Sequence, residues 1–168
     1  MINARTHYWF TVPVARARME EIIRRAKGFY KILEVGCNEG FLSKALLEDG
    51  HHVTSVDNDP KMLRIAKDLF NIEGIEADVE DLPFLDNEFD LVIGAELLEH
   101  LSNPGKGLSE LFRVSKGRVI ISLPIGRYWL GEPTHKWQID ATAIEHDQGL
   151  LDQLVKKGLV LEFNKRRE

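Results

Sequence analysis

The sequence predicts an α/β fold in which helices cover both faces of a doubly wound, mostly parallel sheet. Short apolar runs alternate along the chain with amphipathic segments of helical period, the pattern of strands joined by crossover helices. The run 89–95 is almost entirely apolar, which is typical of a central strand buried on both faces. A glycine-rich turn, Gly36 to Gly40, directly follows the first predicted strand. Together these observations favour a single Rossmann-like layered domain.

Each element has its own local signal. Ala15, Met19, Ile22 and Ala26 share one helical face, and Gly28 suits the end of that helix. Strands are predicted at 31–35, 52–57, 75–78, 89–95, 118–123 and 159–163. Further helices are predicted from Phe41 to Gly50, from Asp59-Pro60 through Leu69, after Asn103-Pro104, and over 140–157.

The 168 residues fit one domain, 1–168, without repeats, low-complexity segments or a linker. Within it we distinguish an N-terminal helical segment (1–28), a ligand-binding core (29–125), and a substrate-side loop, helix and final strand (126–168). No apolar stretch approaches the roughly 18 residues that span a bilayer, so we expect no membrane span. The N-terminus leads into no signal-peptide core, and a single cysteine excludes an internal disulfide. We therefore expect a cytoplasmic protein.

Charge is distributed unevenly around a net value of −5. Residues 1–31 carry seven Lys or Arg against two Glu, whereas residues 68–105 carry eleven acidic residues and neither Lys nor Arg. Two interpretations stay open for the acidic stretch. It is an ordinary solvated face, or it is a face that has no use for phosphate-rich ligands and tolerates a cation.

The carboxyl ends of the strands are where such sheets bind ligands. The turn from Gly36 to Gly40 allows close approach of a ligand to the backbone. Asp57 ends the second strand 21 residues after Gly36, where a carboxylate can accept both hydroxyls of a ribose. A dinucleotide fingerprint, however, needs glycine where this chain has Asn38 and Phe41. We therefore do not expect an NAD-type oxidoreductase.

Five motifs, in order, carry a family resemblance over residues 29–125. They are the stretch 32–42 (ILEVGCNEGFL), Asp57, the acidic 78–80 (DVE), 81–84 (DLPF) with 89–92 (FDLV), and 96–101 (ELLEHL). Each motif is weak alone, but their order and spacing resemble class I S-adenosylmethionine-dependent methyltransferases of the small-molecule and lipid branches.

This resemblance implies a Rossmann-like methyltransferase that binds S-adenosylmethionine and transfers its methyl group to a small-molecule acceptor. It implies the cofactor-binding residues Glu34, Gly36, Cys37, Asn38, Gly40, Asp57, Asn58, Asp78, Val79, Ala95 and Glu96. Glu34 is expected near the methionine portion, Asp57 at the ribose and Asp78 on the adenine side. The cofactor carries a sulfonium cation and no phosphate, which agrees with the acidic stretch. We expect neither a nucleic-acid partner nor a bound metal.

The chain departs from the family pattern in two places. Asn38 replaces a glycine, and because Asn tolerates positive φ well, we expect the turn to survive. The family fold usually ends in an antiparallel strand pair, whereas only 159–163 is legible here. Either the chain is naturally short, or its last strand is missing.

His100 leaves the mechanism open. On a predicted helix after the fourth strand it packs or caps, serves as a general base near the acceptor, or binds a metal. With Glu96, Glu99 and the distant His135 it would make a two-carboxylate, two-imidazole site. That pattern resembles metal-dependent RNA 2′-O-methyltransferases, which is the first alternative function. A cofactor-binding module without catalysis is the second.

Two aromatic segments are candidates for covering the site. Residues 128–137 follow the fifth strand and contain two Trp, one Tyr and one His. They could form an aromatic wall for the acceptor or an ordinary packed loop. Tyr8, Trp9 and Phe10 could likewise form a lid over the cofactor or a helix-packing staple.

Overall fold

The computed structural model describes residues 13–123 and 159–164. Its helices are α1 Pro13–Ala26, α2 Phe41–Glu48, α3 Pro60–Phe70 and α4 Pro104–Val114, with a 3-10 helix at Leu98–His100. Its strands are β1 Lys31–Val35, β2 His52–Asp57, β3 Ile75–Glu76, β4 Leu91–Ala95, β5 Arg118–Leu123 and β6 Leu159–Asn164. None of the described helices is long and apolar enough to cross a membrane.

These six strands form one sheet in the order β3-β2-β1-β4-β5-β6. β1 to β5 run parallel to one another, and β6 pairs antiparallel to β5 from Leu123↔Leu159 to Arg118↔Asn164. The chain therefore winds outward from β1 in one direction and from β4 in the other. This confirms the predicted doubly wound, mostly parallel sheet, and it puts the switch point between β1 and β4.

Helices pack on both faces because successive strand residues point to opposite sides. On one face Ile32, Leu91, Ile93 and Ile120 pack with side chains from α1 and α2. On the other face, alternate strand residues such as Leu33, Val92 and Val119 pack with Leu111 and Val114 of α4. Burial of these apolar residues is the main stabilising contribution to the layered fold.

Two helix starts form as the sequence predicts. The Asp59 carboxylate accepts a hydrogen bond from the Lys61 amide (2.8 Å), and Pro60 occupies the first turn of α3. The Asn103 side chain likewise accepts from the Lys106 amide (3.1 Å) at the start of α4. In both places a polar cap satisfies an amide that lacks a partner within the helix.

The strand boundaries differ from the prediction in three places, the smallest difference being β6, which ends at Asn164 rather than residue 163. β3 ends at Glu76 rather than residue 78, because the Asp78 carboxylate turns back to accept from the Glu80 amide (2.8 Å). β4 begins at Leu91 rather than residue 89, because Phe89 forms only an isolated bridge to Ser115. The predicted helix over 140–157 and the aromatic segments 8–10 and 128–137 lie outside the described residues.

Candidate functional site

A cavity of about 220 Å³ opens at the carboxyl ends of β1, β2 and β4, beside the switch point. Its lining residues are Val35, Gly36, Asn38, Asp57, Asn58, Ala77, Val79, Glu96, Leu97, His100 and Leu101. Seven of them are residues that the sequence marked for cofactor binding or catalysis. The first wall is the set of lining residues at the ends of β1 and β2, namely Val35, Gly36, Asn38, Asp57 and Asn58; the second wall is the set that follows β4, namely Glu96, Leu97, His100 and Leu101.

Left-handed backbone conformations shape the first wall. Gly36 and Gly40 have φ of +77° and +80°, and Asn38 has φ of +49°. This confirms the expectation that asparagine maintains the turn in place of glycine. The amides of Gly36 and Cys37 both donate to the Val56 carbonyl (2.8 and 2.9 Å), which holds the turn against β2.

Asp57 connects this turn to the next one. One carboxylate oxygen accepts from the Asn38 amide (2.7 Å), and the other accepts from the Asp59 amide (2.9 Å). A carboxylate offers about four acceptor positions, so two remain for a ligand in the cavity that Asp57 lines. Hydroxyl groups are suitable donors for those positions.

The β3 side contributes apolar surface to the cavity. Ala77 and Val79 line it, and Val79 is buried. Asp78, by contrast, does not line the cavity; it is exposed and bonded to the Glu80 amide. The structure therefore supplies an apolar contact at this end rather than a carboxylate directed into the cavity.

Glu34 also does not line the cavity. Its buried carboxyl accepts a hydrogen bond from the Ser43 hydroxyl of α2, which lies 2.7 Å from the Ser55 hydroxyl of β2. Burial raises the pKa of Glu34 to about 8, and the nearby Asp57 carboxylate adds to that effect. Glu34 thus joins β1, α2 and β2 behind the first wall.

Three other predicted residues lie behind the walls as well. Cys37 is a buried free thiol whose pKa is raised by burial and by the neighbouring carboxyls. Gly40 starts α2 so close to α3 that a Cβ there would lie 2.9 Å from the Ala66 Cβ. Ala95 is part of the core on the α1 side of the sheet.

The second wall begins with a strained turn. Glu96 has φ of +52°, and its amide donates to the Ser122 carbonyl of β5 (3.0 Å). Its carboxylate forms an ion pair with Arg18 of α1, 3.0 Å between Oε2 and Nη2. Burial raises the pKa of Glu96 to about 7, although Arg18 and the Ser122 hydroxyl act in the opposite direction.

Glu99 and His100 follow in a 3-10 helix, not in the α-helix that the sequence predicted. Because Glu96 is left-handed and precedes that short helix, the three residues do not share one helical face. The Glu99 carboxyl is fully buried, and neither oxygen has a hydrogen-bond partner among the residues that the structure describes. Burial, with the Glu96 charge as the next cause, raises its pKa to about 8. The His100 Nε2 lies 4.0 Å from the Glu99 Oε1 and lines the cavity.

The alternative metal site is not assembled within the described residues. There, no three His, Cys, Asp or Glu side chains lie close enough together to hold a metal ion. His135, the fourth member of the predicted set, lies outside the described residues.

Sequence reasoning missed four apolar lining residues, Val35, Ala77, Leu97 and Leu101, and it missed Arg18 behind the second wall. The apolar positions flank the predicted polar ones, so strand-end position could have identified them. No local signal marks Arg18, since its role depends on a contact across 78 residues of chain.

The lining combines backbone amide turns, carboxylates and apolar surface, and it contains neither Lys nor Arg among the described residues. Such a site suits a ligand with hydroxyl donors, a flat apolar ring and a positive charge, and it offers no cation for a phosphate. These properties fit S-adenosylmethionine.

A family model described as a methyltransferase domain matches residues 33–122, more than half of the chain. The matched residues run from β1 through β5 and include both walls of the cavity.

Individual relatives agree with this match. The chain is 37% identical over 97 residues to the demethylmenaquinone methyltransferase of Clavibacter sepedonicus, covering 54% of this chain and 40% of that protein. It is 38% identical over 94 residues to the malonyl-[acyl-carrier protein] O-methyltransferase of Buchnera aphidicola, covering 54% and 38%. The matched part thus spans about 40% of the length of these relatives.

The fold also matches a solved methyltransferase. The SAM-dependent methyltransferase from Archaeoglobus fulgidus superimposes with a TM-score of 0.67 at 22% identity, covering 79% of this chain and 65% of that one. At that identity the likeness concerns the fold alone. With the family match across both cavity walls, the conclusion is that this chain belongs to the methyltransferase-domain family and has the Rossmann-like class I fold.

Proposed function

We propose that this chain binds S-adenosylmethionine in the cavity and transfers its methyl group to a small-molecule acceptor. The observation that carries the proposal is Asp57, which keeps two acceptor positions available at the end of β2, in a cavity whose described lining residues include neither Lys nor Arg. A ribose diol is the ligand group that best fits those positions. The names of the relatives, a demethylmenaquinone methyltransferase and a malonyl-[acyl-carrier protein] O-methyltransferase, support an acceptor outside the nucleic acids.

In this proposal the first wall and the β3 side of the cavity bind different parts of the cofactor. Gly36, Asn38, Asp57 and Asn58 hold the sugar and methionine portions, and Val79 contacts the adenine. Cys37, Gly40 and Ala95 support these residues from behind, as Glu34 does through Ser43. The exposed Asp78 reaches the adenine edge only if its side chain turns away from the Glu80 amide.

S-Adenosylmethionine, when bound, supplies an electrophilic methyl group on a sulfonium. The chain's contribution is then alignment of the acceptor and exclusion of water, which together account for a large share of the barrier reduction in such displacements. The Glu96 carboxylate provides negative charge on the cavity side of β4. His100, also at the cavity, accepts the proton that the acceptor atom loses.

Thermal denaturation tests cofactor binding. S-Adenosylhomocysteine at about one hundred times its Kd should raise Tm by roughly 5–10 °C, because it stabilises only the native state. NAD and ATP are the matched controls and should leave Tm unchanged. A shift with NAD alone would contradict the assignment.

Turnover is a separate measurement. The chain is incubated with S-adenosylmethionine and either a demethylated quinol or a malonyl thioester, and mass spectrometry follows formation of S-adenosylhomocysteine. Product formation with one acceptor supports the enzyme. Tight binding without product in any acceptor arm would favour a cofactor-binding module.

A further inference from the structure

Helix α1 lies outside the family-matched residues 33–122, yet it buries an arginine. Arg18 is only 3% exposed, whereas Arg16 and Arg24 on the same helix are more than half exposed. Burial of a guanidinium is costly unless a partner compensates its charge. The position of that partner therefore indicates what the arginine does.

One partner of Arg18 is Glu96, the first residue of the second wall, whose Oε2 lies 3.0 Å from the Arg18 Nη2. The ion pair joins α1 to the one residue of that wall with a left-handed backbone, at φ of +52°. A non-glycine residue adopts this conformation only where surrounding contacts enforce it. Here the contacts are the Arg18 ion pair and the bond from the Glu96 amide to the Ser122 carbonyl.

This turn determines where Leu97 lies. Leu97 lines the cavity and packs directly against the first wall: a Cβ at Gly36 would lie 3.1 Å from its Cδ1. Its Cδ2 would lie 3.2 Å from a Cβ at Gly94 in β4. Leu97 therefore fills the space at the switch point between β1 and β4, and its position depends on the backbone of Glu96.

We propose that Arg18 is a positioning residue of the cofactor cavity that acts through Glu96. By holding Glu96 in the left-handed turn, Arg18 sets Leu97 against Gly36 and fixes the second wall at the distance from the first that the ligand requires. Helix α1 then positions residues of the site in addition to packing on the hydrophobic core. The inference rests on the proposed function in one respect, namely that S-adenosylhomocysteine is the binding probe.

The competing explanation is that the ion pair only anchors α1 to the sheet. In that case its loss lowers Tm but leaves the affinity of the folded protein for S-adenosylhomocysteine unchanged. Calorimetric titration and thermal denaturation are therefore carried out on the same variants: Arg18→Lys, Glu96→Gln and the double variant. Arg16→Lys, which alters an exposed ion pair on the same helix, is the matched control.

Arg18→Lys and Glu96→Gln should each raise the Kd for S-adenosylhomocysteine by about tenfold, because the binding-competent turn becomes a minor conformer. The double variant should be no weaker than the weaker single variant, since both changes act on one contact. Arg16→Lys should bind like the parent. An unchanged Kd in both single variants, or effects that multiply in the double variant, would overturn the inference.

A ligand-free measurement keeps this outcome separate from the proposed function. Hydrogen exchange of the Glu96 amide, which bonds to Ser122, should be at least about tenfold faster in Arg18→Lys than in the parent or in Arg16→Lys. Equal exchange rates in the parent, Arg18→Lys and Arg16→Lys would overturn the inference, whatever their affinities for S-adenosylhomocysteine. A parent protein that fails to bind S-adenosylhomocysteine would instead contradict the proposed function.

Discussion

The two walls of the cavity are stabilised in different ways. The first wall is held by contacts between neighbouring turns: Asp57 accepts from the amides of Asn38 and Asp59, and Gly36 donates to Val56. The second wall depends on distant segments, because Glu96 is held by Arg18 of α1 and by Ser122 of β5. One wall is thus encoded by adjacent motifs, and the other by the packing of the whole domain.

A buried carboxyl group lies behind each wall. The largest effect that we expect is the pH dependence of unfolding free energy that these two groups cause. Glu34 and Glu99 each have a pKa raised to about 8 from an ordinary value of 4.5, mainly by burial. In the window from about pH 4.5 to 8 the native state keeps protons that the unfolded state releases. The stability that these groups contribute is therefore complete below pH 4.5 and is lost as the pH rises through 8, by up to about 1.4 kcal/mol per pH unit for each group.

Glu34→Gln and Glu99→Gln test this directly. Relative to the parent, each variant should become more stable as the pH rises from 5 to 8, and urea denaturation at several pH values measures the difference. Glu34→Gln should also lower stability at pH 5, where it disturbs the bond from Ser43, whereas Glu99 has no hydrogen-bonded side-chain partner within 13–123. If the unfolding free energies of parent and variant changed with pH in parallel, the raised pKa values would be contradicted.

Gly40→Ala should strongly destabilise the support of the first wall. The new Cβ would meet the Ala66 Cβ at 2.9 Å, and the backbone has φ of +80°. Strain and overpacking together should cost about 2–4 kcal/mol in unfolding free energy. Gly50→Ala is the matched control, since Gly50 has φ of +93° but an added Cβ would have no described non-neighbouring residue within 4 Å; this change should cost about 1 kcal/mol. Equal losses in both would mean that the contact between α2 and α3 is unimportant.

Asp57→Ala should have the next largest effect, and it should weaken cofactor binding rather than folding. Loss of hydrogen bonds from the ribose to a carboxylate should weaken S-adenosylhomocysteine binding by about 10- to 100-fold. Calorimetric titration gives the affinity, and circular dichroism verifies folding. Asp59→Ala removes only the cap on Lys61 and serves as the control. A folded Asp57→Ala protein with parental affinity would show that β2 does not end at the ribose.

His100→Gln should have the smallest effect. Its side chain is 40% exposed, and the main-chain bonds of the second wall, such as the one from the Glu96 amide to the Ser122 carbonyl, do not involve the imidazole. We expect unfolding free energy within about 0.5 kcal/mol of the parent and S-adenosylhomocysteine affinity within about threefold. Methyl transfer, in contrast, should fall if His100 accepts the acceptor's proton. A large loss of affinity would make His100 a binding residue.

Local patterns were sufficient to predict most of the fold. Strands β1, β2 and β5 have the predicted bounds, and the capping pairs Asp59-Pro60 and Asn103-Pro104 start helices. The first wall could be predicted as well, because parallel strands bring their carboxyl ends to one edge. Residue spacing alone places Gly36, Asn38 and Asp57 there.

The tertiary structure decided what side chains do once they reach that edge. Glu34 and Asp57 both end or nearly end strands, yet alternation along β1 buries Glu34 against Ser43, while Asp57 lines the cavity. The sequence 96–101 reads as a helix, but the Arg18 ion pair and the bond to Ser122 hold Glu96 left-handed and leave only a 3-10 turn. The spacing of apolar and polar residues reports only on local structure within a short segment. It contains no information on a contact between residues 18 and 96.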